Sequence, residues 1–129
     1  MDTRIATAEH IKEFEVPVRG PDRTNRLLAI VGTMVTPEIS AGKNEARRET
    51  YTCLVGPKLS DHEFLGASCL TSITNVDVKG FDTVQCSVEF EEVEWDDQSG
   101  QVELCVEVSA SGGRAVVTIM YGVMILRLG

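Results

Sequence analysis

The sequence predicts an all-β fold: an antiparallel β-sandwich of about seven to eight strands, one domain over residues 1–129, with a partly closed barrel as runner-up. Three observations carry this. Apolar and polar residues alternate with period two over most of residues 13 to 128, as in half-buried strands. Turn chemistry punctuates the alternating runs at Gly56-Pro57, at Asp96-Asp-Gln-Ser-Gly100 and at Ser111-Gly-Gly113. A chain of 129 residues is also one domain on length, able to bury roughly two thirds of its unfolded surface without staples.

Taken in order, Thr3 to Lys12 is expected as one short helix ahead of the strands. Phe14, Val16 and Val18 share one side of the next run, with Glu13, Glu15 and Pro17 on the other. Pro17 cannot donate to a ladder, which places this strand at a sheet edge. Leu27 to Val35 is apolar on both faces and reads as a central strand. Thr50 to Val55 follows, ending at Gly56-Pro57, and residues 64 to 78 hold one broken or two short strands. Between these runs, residues 37 to 48 and 56 to 64 are polar, irregular and long enough to bind a ligand.

The second half reads as a three-stranded meander. Val84, Cys86, Val88 and Phe90 alternate with polar residues until the parity slips, and the adjacent Glu91 and Glu92 mark a β-bulge there. Val102 to Ala110 resumes strict alternation. Arg114 to Leu128 is the last strand, apolar on both faces and so expected to be covered on both, by another part of the chain or by another subunit.

Composition limits the chemistry. Only seven residues are aromatic, so the core must be aliphatic, and four cysteines (Cys53, Cys69, Cys86, Cys105) fall one to a strand with no CxxC pair. With no signal-peptide pattern, reduced thiols and a cytoplasmic or virion-associated location are expected. Zinc would need closer ligand pairs. The net charge of −8 disfavours nucleic acid and anionic membranes, and no run approaches a membrane helix. Six cations lie between residues 19 and 48 (Arg19, Arg23, Arg26, Lys43, Arg47, Arg48) against three acids, too small a patch to read nucleic acid.

No catalytic signature emerges, and the chain is expected not to be an enzyme. Nucleophilic catalysis would need His10 or His62 as base, and His62 sits in the polar run Asp61-His-Glu63. No phosphate-cradling glycine motif is present. Calcium could use Asp96, Asp97, Gln98 and Ser99 with Glu94 or Asp82, but the spacing departs from the EF-hand pattern. No cofactor, metal or catalytic residue is therefore assigned.

Residues 82 to 107 carry nine carboxylates and no cation, so that segment holds −9 and the remainder +1. Such a face is either solvated or docks a basic surface. The leading expectation is a structural assembly module that self-associates or docks into a larger protein assembly. Its expected interface comprises Glu91, Glu92, Glu94, Trp95, Asp96 and Asp97 of the hairpin, Arg47 and Arg48 as cations meeting them in a neighbouring copy, and Tyr121 and Val123 of the final strand. The alternative is a lectin-like domain that binds a small ligand or carbohydrate, anchored on Trp95 and assisted by calcium.

Overall fold

A computed structural model describes residues 3–5, 7–19, 24–80 and 83–128, with side-chain environments for 12–18, 25–80 and 83–128. Nine strands follow one another: β1 (Thr3–Ile5), β2 (Thr7–Arg19), β3 (Thr24–Val35), β4 (Ile39–Ser40), β5 (Ala46–Val55), β6 (Phe64–Lys79), β7 (Gln85–Trp95), β8 (Val102–Ser111) and β9 (Arg114–Leu128). The first sheet runs β1-β5-β8-β7. In the second, β9 lies between β3 and β6, β2 lies outside β3, and the two residues of β4 continue along the β3 side of β9. The sandwich is therefore as the alternation predicts, and it is not a closed barrel. Where β6 and β7 run close together at one side, they exchange no ladder among the described residues.

Three expectations are corrected. The second half is not a three-stranded meander: β7 pairs with β8, but β9 lies in the other sheet between β3 and β6, so the chain crosses the sandwich after β8. The short helix over Thr3 to Lys12 is instead β1 and the start of β2. Residues 7 to 19 pair with the whole length of β3, from Thr7–Val35 to Arg19–Thr24, with one register shift between His10 and Lys12. A ladder that long outweighs weak local helix preference. Nor is the first sheet wholly antiparallel, because β1 pairs β5 in parallel, Thr3 with Thr50. With β1 and β2 in different sheets, no tight hairpin forces the antiparallel sense.

The core is aliphatic. Even-numbered residues of β8 (Val102 to Ala110) and odd-numbered residues of β9 (Ala115 to Ile125) face each other across the sandwich, all at most 2% exposed, with Ile30, Met34 and Val55 packed among them. Tyr51 and Tyr121 are the buried aromatics among these residues. The final strand, expected to be covered on both faces, is covered on one: Met120 and Met124, which point the other way, are 41% and 43% exposed.

The β8–β9 turn depends on a residue without a side chain. Gly112 has φ +91°, and a Cβ there would lie 2.3 Å from the Thr83 carbonyl oxygen. Gly112→Ala should cost about 2 kcal/mol or more and lower Tm by roughly 7 °C. Gly42→Ala, where a Cβ meets only the exposed and movable Glu45 side chain, is the control and should change Tm little. Thermal denaturation of both variants checks this.

Candidate functional site

The two sheets turn outer faces of unlike chemistry to the surroundings. On the first sheet, β7 and β8 pair Glu94 with Glu103, Glu92 with Cys105 and Phe90 with Glu107, all on the side away from the core. Glu103 titrates above the ordinary glutamate range, chiefly because it is partly buried and secondarily because Asp96 and Glu94 lie near. Burial likewise raises the Cys105 thiol, with Glu103 and Glu92 adding to it.

The bulge in β7 falls earlier than Glu91 and Glu92, between Val88 and Phe90. Phe90 is consequently turned outward and is 55% exposed, while Glu91 faces the sandwich interior at the β6–β7 side, where its carboxylate accepts a hydrogen bond from the Thr71 hydroxyl. Of the three expected docking glutamates, only Glu92 and Glu94 share the acidic face. Asp82 lies outside the described residues.

Trp95 and Asp96 hold the end of the sandwich together. The Trp95 Nε1 donates to the Leu59 and Gly100 carbonyls at 3.0 and 3.1 Å. Leu59 N donates to the Gly100 carbonyl at 2.7 Å, and Gln101 Nε2 to that of Gly56 at 2.7 Å. Asp96 accepts from both the backbone N and the hydroxyl of Ser99, which holds its carboxyl below the usual range. The 56–63 loop is tied down in the same way: Glu63 accepts from Ser60 and pairs with Arg127 at 3.1 Å. Asp97 remains exposed. These contacts give Trp95 and Asp96 a structural task. Among the described residues, no three His, Cys, Asp or Glu side chains converge as a metal site.

The expected cations already have partners within the chain. Arg47 Nε donates to Glu49 at 2.6 Å, and Arg48 Nε lies 3.0 Å from Glu89. Arg23 lies outside the described residues. Tyr121 and Val123 are 2% and 0% exposed, inside the core. His62 is exposed and shares a hydrogen bond with the Ser60 hydroxyl at 3.0 Å; of His10 only the backbone is described. The cysteines are free thiols on four different strands. Burial, with a smaller effect of Glu103, pushes Cys53 up to about 12, and burial also raises Cys69 and Cys86. Thiols so shifted are poor nucleophiles at neutral pH.

The second sheet's outer face is apolar. The registers set three rows of four residues across β2, β3, β9 and β6: Val16–Leu27–Leu126–Gly66, Phe14–Ala29–Met124–Ser68 and Lys12–Val31–Gly122–Leu70. Lys12 is the one charge in these twelve positions. Phe14 and Val16 are 49% and 46% exposed, and Leu70 is 78% exposed. Between Phe14 and Leu70 runs a shallow groove of 260 Å³ floored by Gly122 and Ala29. Sequence reasoning flagged this strand's double-sided apolarity but chose Tyr121 and Val123, because alternation does not say which parity faces the core. The signal for the rest lay in Phe14, Val16 and Val18, grouped opposite Glu13, Glu15 and Pro17.

Family models, curated proteins and solved structures were compared with this chain, and none matches. No helix among the described residues is long and apolar enough to cross a membrane.

Glu103 allows a test of the acidic face. Its folded-state pKa is raised, so the folded form holds its proton more tightly than the unfolded chain. Stability from this residue is full below the unfolded value and is lost as pH rises through the folded one. Glu103→Gln should thus raise Tm by about 1–2 °C at pH 7, where Glu94 and Glu103 repel across the ladder. The gain should vanish below about pH 4, where glutamates are protonated. Melting curves across that range read it directly.

Proposed function

We propose that this chain is a non-enzymatic assembly module that associates with a second copy of itself through the outer face of β2-β3-β9-β6. The observation that carries the reading is the three-row apolar face, free of carboxylates at its twelve positions, on a chain of net charge −8. Contiguous apolar patches of several hundred Å² are uncommon on monomers and mark interaction surfaces.

Charge favours a second copy. The three rows span five residues on each of four strands, roughly 19 by 17 Å, or about 300 Å² per copy. A pair meeting on these rows alone would bury about 600 Å², the size of a weak association that rises with concentration. Packing these faces together also leaves the two acidic faces at opposite ends of a four-layer stack. At about 10 Å per layer they stand roughly 30 Å apart, several times the ~8 Å screening length at physiological salt. Contact through the first sheet would instead press Glu92, Glu94, Glu103 and Glu107 of one copy against those of the other. Pairing edge to edge along β2 is opposed by Pro17 and by the exposed Glu13 and Glu15.

The acidic hairpin accordingly acts as the solvated face that keeps association one-sided. Light scattering of the native protein should give twice 14.1 kDa. Added salt should preserve or strengthen the dimer, because screening weakens repulsion between copies and leaves apolar burial intact. Met124→Asp should give a monomer with Tm within a few degrees of that of a dissociated native chain. A native protein that stays monomeric at high concentration and high salt would overturn the reading.

A further inference from the structure

Building on that self-association, we infer that the two copies meet about a two-fold axis that lies between the facing sheets, runs along the strands and passes between β3 and β9. The three rows point to this axis. In the middle row the side chains alternate large, small, large, small: Phe14, Ala29, Met124, Ser68. A two-fold axis along the strands reverses each row onto itself. Phe14 then lies over Ser68 of the second copy, and Met124 over Ala29 of the second copy.

The flanking rows obey the same rule. Reversal sets Val31 over Gly122, where a Cβ-sized space is empty, and Val16 over Gly66, which is equally open. The 78% exposed Leu70 lies over the aliphatic stem of Lys12, whose ammonium group can reach water beyond it. Leu27 over Leu126 is the other place where two large residues meet. A two-fold contact requires such self-complementarity: whatever one residue meets on the other copy must meet it in return.

Other ways of facing the sheets lose the match. An axis running across the strands through the middle row sets Phe14 over Phe14 and Met124 over Met124, with Ala29 over Ala29 between them. That arrangement collides at the large positions and leaves voids at the small ones, and interiors tolerate neither. Shifting the axis along the sheet so that it runs between β9 and β6 leaves β2 and β3 overhanging, with Phe14, Val16 and Ala29 uncovered. The axis between β3 and β9 covers all four strands and sets a large residue over a small one in four of the six pairings.

The test exchanges partners. Within one chain, positions 14 and 68 are separated by three strand spacings, about 14 Å, so they communicate only across the interface. Ser68→Phe alone sets two rings at one place, and Phe14→Ser alone leaves two small side chains facing. Because each change occurs twice in a two-fold dimer, either should weaken Kd about tenfold or more in sedimentation equilibrium. The double variant restores large over small and should return to within about threefold of the native Kd. Ala29→Met with Met124→Ala is an independent pair with the same expectation. All six variants should keep the native fold by circular dichroism, since the positions face outward. A native dimer whose double variants are no tighter than the weaker single ones would overturn this axis while leaving self-association standing. A monomeric native protein would instead sink the reading beneath it.

Discussion

The inward set of β9, Ala115 through Ile125 at every second position, is the constraint on which the rest of the molecule depends. This strand is bonded to β3 and β4 on one side and to β6 on the other, so its pleat fixes which residues of three neighbours face the core. A slip of one residue would exchange both faces at once, exposing Val117, Ile119 and Val123 and burying Met120, Gly122 and Met124. Packing against the even-numbered residues of β8 sets the first sheet in turn. The outer apolar face is thus not an independent feature. It is the other half of the pleat that makes the core.

That origin explains why the two outer faces differ. The β7–β8 hairpin carries Glu92, Glu94, Glu103 and Glu107 at outward positions, behind the inward Val102, Leu104 and Val106, and water screens the repulsion. β3 and β9 carry apolar residues at both parities, so one set must remain outside. Nothing among the described residues lies over it: the 56–63 loop, the longest stretch between strands within 24–80, is anchored at the sandwich end by Trp95, Glu63 and Arg127. A face that the chain itself leaves open, with no acid at its twelve central positions, is the ground for the proposed association on one side.

Much of this was legible in the residues. Strict alternation located β7, β8 and β9 and the turns between them, and Pro17 identified an edge. What alternation lacks is a reference for inside and outside, so on a strand apolar at both parities it does not tell that Tyr121 and Val123 face the core. The bulge was placed at the paired glutamates because Phe90 was counted as inward. In the folded chain Glu89 is the extra residue, and its carboxylate lies 3.0 Å from Arg48. The N-terminal ladder was hidden for another reason: the partner of residues 7–19 lies in a strand that begins after them, and local preference does not report non-local pairing. Trp95 looked like a ligand anchor because an indole beside two aspartates is ambiguous until its N–H is seen to be engaged.

β2 joins the fold and the proposed assembly. Residues 12 to 18 are exposed throughout, because this strand lies beyond the part of the sandwich that the first sheet covers. Among residues 12 to 18 the core-side positions are Glu13, Glu15 and Pro17, and none of these residues buries a large apolar side chain in the core. Within one copy it is therefore held by its ladder to β3, by the Arg26–Glu15 pair at 3.5 Å and by partial contact along the outer face. Exposed ion pairs of that kind contribute little, and a stretch whose side chains stay exposed has little to set against its ordering entropy. Its apolar side, Phe14, Val16 and Val18, continues the open face of the sheet. Covering that face would supply the burial that β2 lacks within a single copy, so the strand's order and the assembly reinforce each other.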